Sequence, residues 1–504
     1  LPLSTPPTMS IPSENAASVS ASAIKTRVAK GGVAVALSTG LRSLLEFGAT
    51  LVTARLLTPA DFGLVGMVLA VIGFVDMFKD LGLATVTVQR EQLSREQVSG
   101  LFWVTVGVGA ALAMLTALAA PLISWGYGQP SLTNITLVLS SCLFVSALSV
   151  QHQALLKREL KFERLSIVQT AGTVAGVVTV IAGALAGLGV WALVLRQLAT
   201  PLVSGVCAWV AMRWIPGRGP REGIRELLGM GGHVTGFQVA NYVERNLDNV
   251  LIGKFAGAFQ LGCYARAYDL LRLPLQQIGE PAGTVAMPTL SRLAGDPERY
   301  RDAYLRMARA VLLFTVPLTP FLIVCADWLV RLAFGPQWSD AVPMFRLLGI
   351  AMLVKPLSYT LGWLFVSQGR TRELMRWGVV ATGLAVVSFV VGLPWGALGV
   401  ALSYGLLDLV VRSPILIYWV GRRGPVSSRD LLLLLLPALS CASGVGAALL
   451  GFRALVGVHV GAELGCLLGA LITLVVAAAI TFATPGGRRS VEDLRQLFGR
   501  KRMA

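Results

Sequence analysis

Apolar runs of about twenty residues, separated by short basic connections, recur along this chain and constrain it more than any other feature. The hydrocarbon core of a bilayer is about 30 Å thick, and a helix needs about 20 apolar residues to cross it. Scanning for such runs gives fourteen, at 33–54, 62–87, 101–125, 132–151, 165–186, 188–212, 227–252, 256–290, 308–326, 343–367, 375–393, 395–420, 431–451 and 460–483. A bilayer offers no water to satisfy peptide groups, so segments of this length fold as helices. The expected fold is an all-α integral membrane protein of about fourteen transmembrane helices. A content of 55% hydrophobic and 14% charged residues agrees, since soluble domains run to roughly half and a quarter. The 256–290 run is too long for one straight span. Pro274, Pro281 and Pro288 recur in it every seven residues, which predicts a kinked helix.

Basic residues exceed acidic ones, giving a net charge of +17, and their placement decides what that means. With both termini inside, thirty Lys and Arg fall in one set of connections, and only Arg55, Lys254, Arg331 and Arg453 fall in the other. Such asymmetry is the positive-inside pattern. It predicts a multi-pass membrane protein with both termini cytoplasmic and membrane lipids as its surroundings. The excess charge is topology, and no nucleic-acid partner is expected. The C-terminal tail, with Ser490 followed by Val491, Leu494, Leu497 and Phe498, reads as an amphipathic helix on the anionic inner leaflet.

Two weak internal matches suggest a repeat. Residues 55–63 (RLLTPADFG) align with 254–262 (KFAGAFQLG), and 187–193 (GLGVWAL) with 397–402 (ALGVAL), placing Gly189 over Gly399. Six spans per half with the same sidedness point to two parallel lobes, a transporter architecture. The domain scheme is a cytoplasmic tail (1–30), an N-lobe of six spans (31–214), a basic cytoplasmic linker (215–225), a C-lobe of six spans (226–420), two appended spans (421–484) and a basic amphipathic tail (485–504).

Charges inside the spans are costly, and they mark a bundle interior or a water-filled cavity. Nine basic residues lie there: Arg42, Lys79, Arg196, Arg245, Arg266, Arg272, Arg346, Lys355 and Arg412. Spacings of three or four predict pairs along single helices for Arg42 with Glu46, Asp76 with Lys79, Arg245 with Asp248, Asp269 with Arg266 or Arg272, and Asp408 with Arg412. These pairs can be structural or functional. Arg196 has no acid three or four residues away, and Arg346 and Lys355 have none nearby in their span, a surplus that points to an anionic passenger. Candidate anion-binding residues are Arg196, Arg266, Arg272 and Lys355, with Arg42 a weaker fifth. Glu244 and Asp248, one turn apart, are candidates for binding a coupling ion, because neighbouring carboxylates raise each other's proton affinity. Neutralisation by Arg245 is the alternative for these two acids.

Enzyme motifs and cofactor sites are not expected. The three histidines lie far apart, and there is no GxSxG elbow or GxxxxGK[ST] phosphate loop. Six scattered cysteines read as small core residues. The stretches ARLLTPADFGLVGMV (54–68), GLATVTVQR (82–90), LGCYARAYDLLRLP (261–274), MPTLSRL (287–293), AFGPQWSDAVPMFRLLG (333–349) and SQGRTRE (367–373) resemble the polysaccharide-exporter branch, including Wzx-type and colanic-acid-exporter-like flippases, of the multidrug/oligosaccharidyl-lipid/polysaccharide transporter superfamily. The resemblance implies a flippase, not an enzyme. It would carry a polyprenyl-diphosphate-linked oligosaccharide from the cytoplasmic to the periplasmic leaflet by alternating access through a cationic cavity, coupled to a cation gradient. It also implies polysaccharide polymerase and export proteins as partners. Matching positions are Arg55, Pro59, Asp61, Phe62, Gly63, Tyr264, Arg266, Tyr268, Pro274, Gly335, Trp338 and Gly369. Arg266 among them suits a cavity. The alternatives are a cation-coupled multidrug exporter of the same superfamily and a membrane polymerase or ligase.

Overall fold

The computed structural model describes residues 21–80, 82–90, 93–217, 224–456, 460–484, 487–488 and 492, with side chains from residue 35 except 36, 224–241 and 244. The expected tail helix near 490–498, most of the 215–225 linker and the Glu244 side chain lie outside these. The described chain is helical: α1 (Ala21–Leu56), α2 (Pro59–Asp80), α3 (Leu83–Gln89), α4 (Arg95–Leu118), α5 (Ala120–Tyr127), α6 (Leu132–Arg158), α7 (Phe162–Leu185), α8 (Val190–Met212), α9 (Ile224–Arg292), α10 (Pro297–Thr315), α11 (Leu318–Val324), α12 (Ala326–Phe334), α13 (Ala341–Ala351), α14 (Lys355–Ser367), α15 (Thr371–Gly392), α16 (Gly396–Leu407), α17 (Ser413–Gly421), α18 (Ser428–Leu455) and α19 (Ala462–Ala483). Among the described residues, nine helical segments are long and apolar enough to cross a membrane, ten if the bent pair α13 and α14 forms one span. One of the nine, Thr371–Gly421, is interrupted by a 3-10 turn at Leu393–Trp395. Gly396 follows with φ 66°, and α15 and α16 pack against each other, so the segment is a hairpin of two helices. The chain is an all-helical, multi-span membrane protein.

Contacts divide the chain into two units, Leu1–Asn246 and Leu247–Ala504. In unit 1, α1 and α8 pack on α7, and α2 rests on α4, α6 and α8. In unit 2, α16 lies between α13 and α15, while α18 meets α10, α11 and α19. A large apolar core there gathers Tyr300, Tyr304, Trp363, Phe365 and Trp377. All six cysteines are free thiols, four of them buried.

The break in the 227–290 region falls beside the expected junction between the 227–252 and 256–290 spans. The residue with non-helical dihedrals inside α9 is Gly257 (φ 87°, ψ 172°), and the helix runs on through Pro274, Pro281 and Pro288. A glycine reaches that left-handed φ without a Cβ clash, which makes it the natural break point. Each proline removes one backbone donor, and the helix tolerates the loss. Residues 258–292 then measure about 50 Å along the helix at 1.5 Å per residue, longer than a bilayer core.

The repeat reappears in backbone detail. Gly189, just before α8, has φ 55° and ψ −131°, and Gly396, at the start of α16, has φ 66° and ψ −153°. A Cβ on Gly189 would meet the Asp61 carboxylate, while Gln260 approaches Gly396 and accepts the Ala397 N–H at 2.9 Å. Asp61 and Gln260 occupy the same place in the 55–63 and 254–262 alignment. The backbone equivalent of Gly189 is therefore Gly396, three residues before the Gly399 that sequence alignment paired with it.

Candidate functional site

Unit 2 holds a string of polar side chains inside its helices. Asp248, on α9 before the Gly257 break, is buried and accepts bonds from the Tyr264 hydroxyl at 3.0 Å and the Asn249 N–H at 2.8 Å. Tyr264 and Tyr268, one turn apart after the break, stack with ring centroids 6.3 Å apart. Arg272, one turn further, lies over the Tyr268 ring at 5.5 Å and is close enough to act on Asp248 electrostatically. Tyr404 of α16 lies close enough to act on Tyr268 electrostatically. Tyr404 in turn accepts from Lys355 Nζ at 2.8 Å. Lys355 opens α14 and reaches Asp408 Oδ1 at 3.3 Å, and Arg412 lies 3.6 Å from the same oxygen. Two acids, two arginines, one lysine and three tyrosines thus share one interior.

Local backbone explains how these groups meet. Residues Asp408–Arg412 form a π-helical turn between α16 and α17. Single π-turns inside α-helices often mark functional positions. Asp408 itself is 2% exposed. Its pairing with Arg412 matches the four-residue spacing, but Lys355 was not foreseeable as its partner, because the two belong to different helices. Sequence reading thus missed Asp408 as a hub and Tyr264, Tyr268 and Tyr404 as its connections. The visible signals were the i, i+4 tyrosines of YARAY and the Asp408–Arg412 pair.

The remaining candidates sit elsewhere. Arg266 pairs with Asp269 at 2.9 Å, so that acid serves Arg266 and not Arg272. Arg245 is exposed while Asp248 turns inward to Tyr264, so the expected Arg245–Asp248 pair does not form. Arg346 meets Asp327 of α12 at 3.1 Å. The apparent surplus of Arg346 and Lys355 was therefore an artefact of searching within single helices. In unit 1, Arg42 donates to Gln169 Oε1 at 2.7 Å and bonds Ser38 and Thr39, in place of the expected Glu46 pair. Arg196, half-buried on α8, packs its stem near Gly176 of α7. Asp76 and Lys79 do pair, at 2.7 Å, with Ser146 accepting a second lysine bond at 2.8 Å.

Chemically, the unit 2 interior offers guanidinium and ammonium donors for phosphate oxygens and carboxylates able to exchange a proton or hold a cation. Among the described residues, no group of three or more His, Cys, Asp or Glu is placed to hold a metal ion.

A family model described as "Polysaccharide biosynthesis protein" matches residues 52–343, more than half of the chain. The chain belongs to this polysaccharide biosynthesis protein family. It is 25% identical over 377 residues to the lipopolysaccharide biosynthesis protein WzxC of Escherichia coli, covering 73% of this chain and 75% of that one. It is 25% identical over 362 residues to the succinoglycan biosynthesis transport protein ExoT of Rhizobium meliloti, covering 70% and 73%. Its fold is similar to that of the lipid II flippase MurJ in an inward closed conformation, with a TM-score of 0.70 at 14% identity over 89% of this chain and 98% of that one. It is also similar to an inward-facing multidrug resistance MATE transporter of the MOP superfamily, with a TM-score of 0.61 at 14% identity over 80% and 94%. The family member described here is a Wzx-like polysaccharide biosynthesis transporter and not an enzyme, which sets aside the polymerase or ligase alternative.

Proposed function

We propose that this polysaccharide biosynthesis protein flips a polyprenyl-diphosphate-linked oligosaccharide repeat unit from the cytoplasmic to the periplasmic leaflet of the inner membrane. Polymer assembly follows on the far side, with polymerase and export proteins as partners. Transport is by alternating access coupled to a cation gradient. The proposed fourteen spans are the ten candidates with Thr371–Gly421 counted as two, together with α1 and both halves of α9. With both termini cytoplasmic, the connections that carry thirty basic residues face inward.

One observation carries the substrate class: Lys355 and Arg272 lie in the same interior, both close enough to Tyr268 to act on it, with Lys355 bonded to Tyr404. A diphosphate entering a low-dielectric region needs fixed cations in place of water, and such donors are what this interior supplies. Within unit 1, Arg196 and Arg42 are the proposed phosphate-binding residues, and Arg266 is a further one in unit 2. Drug cations would meet like charge here, which favours the glycan lipid over a multidrug substrate. Glu244 and Asp248 are the proposed ion-coupling acids.

The test is polymer export in cells that depend on this protein, at matched membrane levels. Each of Arg196→Ala, Arg266→Ala, Arg272→Ala and Lys355→Ala removes a charged hydrogen bond of about 1.5–3 kcal/mol, so export should fall at least about tenfold. Normal export by all four variants would contradict the assignment.

A further inference from the structure

The ion pairs of unit 2 range widely in length. The tightest close at helix ends: Arg301 grips both oxygens of Asp430, and Arg453 reaches Asp327 Oδ2 at 2.6 Å. Asp408 is different. Only its Oδ1 is engaged, at 3.3 Å by Lys355 and 3.6 Å by Arg412, and its Oδ2 is buried with no hydrogen-bond partner. Charge-assisted bonds normally close to about 2.7–2.9 Å, and a buried carboxylate oxygen without a partner is destabilising. A purely structural pair between a buried acid and a part-buried lysine would gain by closing further. This one sits on a π-turn, where the backbone has slack to let the acid approach or withdraw.

We infer that Asp408 is a resident competitor for the substrate's phosphate: it occupies Lys355 in the empty transporter and must be displaced by the lipid diphosphate. This rests on the reading of Lys355 as a substrate contact. A carboxylate held by one oxygen at long range is a weak counter-ion, sufficient to neutralise Lys355 but poor enough to yield. The charge on the incoming head group then decides whether displacement succeeds. A diphosphate brings more charge and more acceptor oxygens than a monophosphate, and Lys355 can be recaptured from Asp408 by the first more readily than by the second. Asp408 is thus a specificity-determining residue that selects loaded diphosphate lipid over the monophosphate carrier. Tyr404, which bonds Lys355 at 2.8 Å and carries it 5.1 Å from its ring centroid, positions the ammonium through the exchange.

The experiment measures binding of two soluble prenyl probes of equal chain length, farnesyl monophosphate and farnesyl diphosphate, to the purified full-length protein. Wild type should prefer the diphosphate by at least about tenfold, and Asp408→Asn should bind the monophosphate at least about tenfold more tightly than wild type, narrowing that preference. An unchanged ratio in Asp408→Asn overturns the inference. Asp408→Glu tests it from the other side with the charge retained. Its extra methylene lets the carboxylate close on Lys355, so monophosphate binding should fall below wild type, and equal or tighter binding contradicts the claim. Lys355→Gln separates the two levels of argument. If it binds both probes as wild type does, the substrate role of Lys355 fails. If it binds weakly while the Asp408 variants keep the wild-type ratio, only the competitor role fails.

Discussion

Units 1 and 2 treat a buried charge in opposite ways. In unit 1, Lys79 is held at both ends of its reach, by Asp76 at 2.7 Å and Ser146 at 2.8 Å, with its partner one turn away on the same helix. In unit 2, Lys355 finds its acid on another helix, at a longer distance and on a π-turn. Both units keep the same device at the start of α8 and α16, a glycine in the left-handed region facing Asp61 or Gln260. A shared scaffold therefore carries two interiors. On the proposed reading, the long Lys355–Asp408 bond between helices is one that a ligand can take over.

The largest effect that could break this contrast concerns ion coupling. Glu244→Gln with Asp248→Asn should abolish the dependence of transport on an ion gradient while the protein still inserts. Asp76→Asn, in the fixed interior, should leave that dependence intact. A gradient response lost in the second variant and kept in the first would reverse the comparison. Next in size is the shared glycine. Gly189→Ala and Gly396→Ala each force a side chain into a left-handed φ, costing about 1–3 kcal/mol, so both should melt several degrees below wild type. Gly396→Ala should be the worse of the two, because its Cβ would meet the Gln260 side chain at 2.7 Å, against 3.9 Å for Gly189 and Asp61. Equal melting of both variants with wild type would contradict the backbone equivalence.

The smallest effect lies at the end of unit 2. Burial alone would raise the Asp327 carboxyl, but hydrogen bonds from Arg453, with Arg346 beside it, hold it below its ordinary value. A lowered carboxyl contributes stability above its unfolded value and loses it as pH falls through the folded one. Acidification toward pH 3 should therefore narrow the melting difference between wild type and Asp327→Asn. The group is part-exposed, so the difference at neutral pH should be at most about 1 kcal/mol. A gap that widens on acidification has the wrong sign.

Much of the fold was legible because membrane helices announce themselves by length and apolarity. The ion pairs Asp76–Lys79 and Asp408–Arg412 were legible too, since three- and four-residue spacings bring side chains together within one helix. Lys355–Asp408, Arg346–Asp327 and Asp248–Tyr264 were not. Each joins residues 16 to 53 positions apart, and such contacts depend on packing that no local spacing encodes. The Gly257 break lies beside the expected junction of the 227–252 and 256–290 runs, where Lys254 interrupts the apolar sequence. Arg42 shows the converse error, since Gln169 on α7 took the place of the acid that its own helix supplied.

The most direct measurement is flipping itself. Purified protein in liposomes would be given a fluorescent polyprenyl-diphosphate oligosaccharide, and the fraction reaching the opposite leaflet would be read by a membrane-impermeant quencher. Wild type should move the lipid across, and Lys355→Ala and Arg272→Ala should slow it by at least about tenfold. Movement no faster than in protein-free liposomes, or equally fast with both cations removed, would contradict the account.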